Sequence, residues 1–315
     1  MTAWGTVPAR ELGMALPHEH MLVDFIGAEH VSADRYDRDE VFEVMFPLFQ
    51  EAANAGITAF FEGTPAYLGR DPVLITRLSM ASGIHIVTNT GYYGAAKDKY
   101  IPAHAYEETA QELADRWIKE WKWGIDGTNV RPGFIKIGVD PGPLSAIDGK
   151  LVTAAAITHL ATGLTIACHI SDARAAMEVL NEIMIANVDP SALIFVHADG
   201  IRNIALQAGL AAAGAWIEYD SVQADSVGRH VRMIKSMMRG GYGDRLLLSH
   251  DAGWYSVGEP KGGQIRPFIA LMHDLLPALK ADGVGQEQID IMMVDNPARA
   301  YAVRIRELGN APVDH

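Results

Sequence analysis

The sequence predicts an α/β fold, a (β/α)8 barrel of the TIM type in a single domain, and three observations lead there. Short β-branched or aromatic runs recur along the chain. Segments with apolar residues every three or four positions lie between them. Glycines sit where one helix must stop before the next strand. The first run is 16–25 (LPHEHMLVDF), and it is followed by a helical pattern over 41–55 with Val41, Val44, Met45, Leu48 and Phe49 on one face. Strands are expected next at 57–62 (ITAFFE), 84–88 (IHIVT) and 134–139 (FIKIGV), then at 164–170 (LTIACHI), 193–197 (LIFVH), 215–219 (AWIEY) and 246–249 (LLLS). Further helical spacing appears over 107–123, 173–186, 201–213 and 265–279, and Gly56, Gly83 and Gly163 are candidate helix stops. Strict alternation of strand and helix implies parallel pairing, and eight such units suggest closure. An open doubly wound sheet would carry a glycine-rich phosphate loop after an early strand, and no GxGxxG occurs. One domain over 1–315 is therefore expected, within the size range of single barrels.

Composition narrows the function. At 49% hydrophobic and 21% charged, the chain has the make-up of a globular protein. Its 26 basic against 39 acidic side chains leave a net charge of −13, which repels phosphate backbones and anionic headgroups. No nucleic-acid partner and no membrane partner is expected. The longest apolar runs, such as 192–196, are of strand length. Cys168 is the only cysteine, so intrachain disulfides and four-cysteine zinc sites are excluded. With no basic start leading into an apolar leader, the expected location is the cytoplasm.

Active sites of such barrels lie where strands end, so the last residues of each run carry the information. His18 and His20 alternate onto one face of the first strand. Lys136 lies in the fourth, His169 ends the fifth, His197 the sixth and Asp220 the seventh; Asp251 follows the eighth. A lone strand-end histidine is usually a hydrogen-bonded structural residue. Several imidazoles and carboxylates converging in an apolar barrel need compensation, and a divalent cation supplies it. Zinc suits such ligands best, with manganese, cobalt or iron also acceptable. Lys136 fits poorly, because an ammonium is cationic at neutral pH, and an ordinary ion-paired lysine is its plain alternative.

These residues together resemble the phosphotriesterase-like branch of the amidohydrolase superfamily, which includes its lactonases. His-x-His ends strand one, Lys136 sits on strand four, single histidines end strands five and six, and Asp251 follows strand eight. Glu11-Leu12-Gly13, Leu16-Pro17-His18-Glu19-His20 and Leu248-Ser249-His250-Asp251 are similar to that family's signatures, and the likeness runs from about residue 6 to residue 302. The resemblance implies two divalent metal ions per chain. His18, His20 and Asp251 would bind the more buried one, His169 and His197 the more exposed one, and Lys136, N6-carboxylated to a carbamate, would bridge them. It further implies a hydrolase in which a metal-bridging hydroxide attacks a carboxylic ester, most simply a lactone, with weak phosphotriesterase activity. Asp251 would then accept the proton.

Other residues lie outside the ligand set. Tyr93 is expected to reach a substrate oxygen, while Trp254 and Tyr255 would wall the substrate within the long segment 251–267. Asp220 is a further candidate contact, followed by Ser221 where the family's lactonases often carry Arg and its phosphotriesterases His. Lys261 and Arg266 could meet an anionic group or be merely solvated, and Asp199 could relay protons or bond loop amides. His250 and Cys168 alternate away from the metal face. His30, His85, His104, His159, His230 and His273 read as surface or packing residues, and Trp117, Trp121 and Trp123 as core or subunit interface. The substrate alternatives are an acyclic ester, an amide, a phosphoester or a sugar-lactone phosphate. A metal-bearing barrel that binds without turnover is the rival outside the enzyme class. The family also suggests a homodimer.

Overall fold

Nine consecutive buried residues, Ala15–Val23, form β1. In the computed structural model, which describes residues 1–309, it is the first stave of a closed parallel barrel. The last six residues of the expected 1–315 domain lie outside the described residues. The other strands are β2 (Ala59–Glu62), β3 (His85–Val87), β4 (Asn89–Thr90), β5 (Phe134–Gly138) and β6 (Thr165–His169). They are followed by β7 (Leu193–Val196), β8 (Trp216–Tyr219), β9 (Leu246–Leu248) and β10 (Gly253–Ser256). Every hydrogen-bonded pair is parallel.

The expected run 84–88 is divided at Thr88: β3 pairs with β2 and β4 with β5. The Asn89 side chain bridges the break by donating to the carbonyls of Glu62 (2.9 Å) and Thr64 (3.0 Å). The seam between β9 and β1 is closed by single bonds, Asp251 N–H to His18 O at 3.1 Å and His18 N–H to Ser249 Oγ at 2.9 Å. Part of the long loop after β9 is itself a strand, since β10 pairs with β1 through His20 and Gly253. Gly253 has φ +86, and a Cβ there would collide with the His20 carbonyl, so the close approach demands glycine.

Among the helices that surround the staves are α1 (Arg38–Asn54), α2 (Pro72–Ser82), α3 (Ala110–Trp123), α4 (Ala146–Thr162), α5 (Ala173–Ile185), α6 (Ile204–Ala212), α7 (Val227–Arg239) and α8 (Leu276–Ala281). Three of them, α2, α4 and α7, lie outside the helical segments expected from the sequence. The first turn of α2 opens on Pro72, tolerated because that N–H has no helical partner, and Asp71 caps it. The α4 helix is buried almost all round, and α7 buries only His230, Ile234 and Met237. The segment expected as one helix over 265–279 instead enters through a π-helical turn, Leu271–Leu275. Gly83 and Gly163 end α2 and α4 in the left-handed conformation, while Gly56 lies one residue beyond the α1 cap. Among the described residues no helix is long and apolar enough to cross a membrane.

Alternation sorts the strand residues into two layers. Ile135, Ile137, Cys168, Phe195 and Ile217 pack outward beneath the helices. Ala59, Phe61, Phe134, Ala167, Trp216 and Leu247 fill the barrel's interior, where Tyr301 stacks on Phe61 at 3.9 Å. β1 carries a register shift between Leu16 and Glu19. Starting from inward Ala15, plain alternation would turn residues 17 and 19 inward. The irregularity resets the parity, so that His18 and His20 face the interior.

At the opposite end, Arg306 is buried and donates to the carbonyls of Arg299, Ala300 and Ala302, and burial brings its pKa down to about 9. Its backbone N–H donates to His159 Nε2 at 2.9 Å, while His159 Nδ1–H donates to Leu164 O at 2.8 Å. That pattern requires a neutral imidazole, and burial takes the His159 pKa from 6.5 to about 4. The unfolded chain therefore binds a proton that the folded chain refuses, so stability falls as pH drops from 6.5 towards 4. His159→Gln is expected to flatten the loss of unfolding free energy between pH 7 and pH 5 by about 2 kcal/mol, measured by urea denaturation at both values. An unchanged slope would show that His159 is protonated in the fold.

Candidate active site at the carboxyl ends of the strands

Above the apolar floor of Phe61, Phe134 and Trp216, the next inward residues are polar. His18 and His20 come from β1, Lys136 from β5 and His169 from the end of β6. His197 follows β7 at φ +61 and Asp251 follows β9 at φ +50. Left-handed backbone at two non-glycine positions costs energy, and such outliers cluster at functional sites. The imidazole nitrogens His18 Nε2 and His20 Nε2 lie 3.2 Å apart, and Asp251 Oδ1 is 3.1 Å from His20 Nε2 and 3.8 Å from His18 Nε2. The His169 and His197 rings meet edge to face at 4.4 Å, and His18 lies 5.1 Å from His197. Six of the seven residues expected to gather at the strand ends, all but Asp220, line one cavity of about 170 Å3.

Each imidazole is held from behind at Nδ1. His18 is held by Glu218 Oε1 (2.8 Å), His20 by Thr64 Oγ1 (2.8 Å), His169 by the Tyr93 hydroxyl (3.1 Å) and His197 by Asp220 Oδ1 (2.7 Å). Burial, reinforced by neighbouring cationic groups, holds His18 and His169 well below the usual histidine range. Burial pulls His197 the same way, but the Asp220 carboxylate outweighs it and the pKa rises. Lys136 is 2% exposed, its Nζ has no hydrogen-bond partner, and burial lowers its pKa against the pull of Glu218, Asp220 and Asp251. Imidazole nitrogens and carboxylate oxygens that converge in this way form a set that could hold metal. His18, His20 and Asp251 offer one compact group, and His18, His197 and Asp220 another. The unpaired amine in their midst marks a place where a partner group is missing from the protein's own atoms.

The expected substrate residues divide. Tyr93 lines the cavity, its ring lying over Gly138, where a Cβ would come within 2.8 Å. Trp254 lines it too; its indole N–H donates to Asp251 O at 2.9 Å, and its ring meets His20 and Phe25. Asp220 is not a substrate contact here: it is fully buried, with its oxygens taken by His197 Nδ1 and the His197 N–H. Tyr255 does not wall the cavity either, because its ring is buried towards α1 and its hydroxyl donates to Glu40. Arg266 is spent on the carbonyls of His250 and Asp251, and Lys261 is exposed. Asp199 accepts from Ser221 and His230. Cys168 points outward, and burial pushes its thiol up. A larger cavity, about 370 Å3, lies behind the 63–71 loop, but its Arg70 and Asp71 are already paired with Glu120 and Arg38.

Sequence reasoning missed Glu19, Glu218 and Thr64. Glu19 faces away from the two histidines; its Oε1 accepts from Ser249 Oγ (2.8 Å), His250 N–H (2.9 Å) and His250 Nδ1 (2.6 Å), and its Oε2 from Ala252 N–H (2.8 Å). The signal was present, since the middle residue of His-x-His must point to the other face. Glu218 shares the inward face of β8 with Asp220, again by period two, whereas nothing local marks Thr64.

Imidazoles, a buried lysine and a carboxylate gathered at the mouth of a parallel barrel are the hallmark of metal-dependent hydrolase barrels. The chain belongs to one group of them, the Phosphotriesterase family, which its residues 1–301 match. It is 27% identical over 293 residues to the phosphotriesterase homology protein of Escherichia coli, covering 92% of this chain and 98% of the relative. It is 26% identical to the aryldialkylphosphatase of Saccharolobus solfataricus, covering 94% and 97%. Among solved structures, a variant of the PTE-like lactonase of Deinococcus radiodurans superimposes with a TM-score of 0.85 at 26% identity, covering 96% and 99%.

The Glu19 clamp predicts a large effect from a residue outside the cavity. Glu19→Ala strands four buried groups without an acceptor and is expected to lower the unfolding free energy by about 3 kcal/mol or more, read from chemical denaturation. A loss under about 1 kcal/mol would show that the β9–β1 seam closes without it.

Proposed function

We propose that this hydrolase is binuclear, and that it opens a small, uncharged lactone or closely related carboxylic ester. The observation that carries the reading is the unpaired Lys136 amine, buried among four imidazoles and Asp251. His18, His20 and Asp251 would hold one divalent cation, His169 and His197 the other, and a carboxylated Lys136 both. Carboxylation replaces a stranded cation with a ligand oxygen pair. Zinc suits the nitrogen-rich donor set best. Bound there, the cations would supply Lewis acidity and ease deprotonation of water near neutral pH.

The chain's own groups do the rest. Asp251 takes the proton at its carboxylate and passes it to the departing alkoxide. With Nε2 of His169 turned to the cavity, its Nδ1–H donates to the Tyr93 oxygen, which leaves the phenol's own proton for a substrate oxygen. Burial holds the Tyr93 pKa high, so that proton stays available. Phe25, Tyr100 and Trp254 contact one another or Tyr93 and make an apolar rim that excludes water. Among the described residues, Lys136 is the only cationic side chain lining the cavity apart from the imidazoles, which disfavours a sugar-lactone phosphate. At about 170 Å3 the cavity is below the roughly 300 Å3 of pockets for drug-sized ligands, which favours a small ring. Weak turnover of neutral phosphotriesters belongs to the same reading, supported by the likeness to an aryldialkylphosphatase. We read the chain as one catalytic unit that works in the cytoplasm as a homodimer, in keeping with its single buried cysteine.

Elemental analysis of the parent and of Lys136→Ala, prepared side by side, is expected to find two metal ions per parent chain and a sharp loss in the variant. No metal in the parent after reconstitution would overturn the reading. In a screen of lactones and esters, Asp251→Asn is expected to lower kcat by about 100-fold or more on any substrate the parent turns over. Equal rates would leave a binding barrel without catalysis.

A further inference from the structure

Glu218 has no evident structural purpose. It lies on the inward face of β8 between Trp216 and Asp220 and is wholly buried. The comparable inward positions of β7 hold Ile194 and Val196, so the barrel does not need a carboxyl at this depth. Among the described residues the ion-pair partner of Glu218 is His18 rather than an arginine. Its Oε1 is 2.8 Å from His18 Nδ1, and its Oε2 has no hydrogen-bond partner. Asp220, two residues on, lies 3.4 Å from the same nitrogen while binding His197 Nδ1 at 2.7 Å. Two buried carboxyl groups side by side are costly unless positive charge lies close by.

We propose that Glu218 is a positioning residue for metal retention: it fixes His18 with Nε2 towards the cavity and selectively tightens the ion that His18 holds. The inference rests on the binuclear reading above. Glu218 does for His18 what Asp220 does for His197, and the two remaining imidazoles, His20 and His169, are backed by the hydroxyls of Thr64 and Tyr93. Each proposed cation therefore has one carboxylate-backed imidazole and one hydroxyl-backed imidazole. An imidazole whose far N–H donates to a carboxylate is fixed in tautomer and is the more basic ligand.

The test uses the full chain reconstituted with zinc, a chelator in excess, and elemental analysis of the protein over time. In Glu218→Gln, one of the two ions is expected to leave about 10-fold to 100-fold faster than in the parent, while the other leaves at the parent rate. Release of both ions at the parent rate overturns the proposal. Equal acceleration of both also overturns it, because a merely structural role loosens the whole mouth. Should Glu218→Gln fail to fold, Glu218→Met fills the same space without charge and is held to the same outcomes. A parent chain that takes up no zinc overturns the binuclear reading and this inference with it.

Discussion

The carboxylate of Glu19 joins the first stave of the barrel to the last. β9 and β1 share no regular ladder, and the segment Ser249–Ala252 between β9 and β10 would otherwise be a loop beside open strand edges. One acidic side chain collects a hydroxyl, an imidazole and two backbone N–H groups from that segment. Asp251 sits in the middle of it at positive φ, a conformation that persists only where its surroundings enforce it. Arg266 adds a second restraint on the Asp251 carbonyl, and Gly253 lets the chain pass against His20. Barrel closure and the placement of the candidate base are thus one event.

The same economy governs β1. Its register shift turns His18 and His20 inward and Glu19 outward, so a three-residue motif supplies two candidate ligands to the cavity and the clamp behind it. Beneath them the aromatic floor is apolar and buried, and above them Trp254 and Phe25 cover the mouth. Polar groups between two apolar layers interact more strongly than they would in water, so unmatched charge there is correspondingly costly.

How much of this could be read from the chain depended on whether the signal was local. His18, His20, Lys136, His169, His197 and Asp251 stand out because buried strand ends should be apolar, and period two fixes their face. Helices α1 and α3 showed their period plainly, whereas α4 is buried almost all round and α2 begins with a proline that reads like a loop. Tyr255 was misplaced for a physical reason: β10 is a strand, so adjacent Trp254 and Tyr255 must face opposite ways. Asp220 was correctly put at a strand end, but its partner could not be inferred, because contact with His197 depends on the 2.7 Å approach of two different staves. Thr64 is a loop residue whose role exists only in three dimensions.

The four imidazoles settle what kind of polarity the mouth offers. With every Nδ1 engaged by a carboxylate or hydroxyl, the tautomer that uses those contacts as donors leaves each Nε2 with its lone pair facing the cavity. Protonating His18 or His169 would add charge where burial and neighbours already oppose it. The mouth is therefore an array of acceptors with one unpaired amine among them. An array of that kind repels anions and leaves a neutral ester only the Tyr93 hydroxyl and the Lys136 amine to bind by itself. It attracts cations, and the proposed metal centre rests on that property.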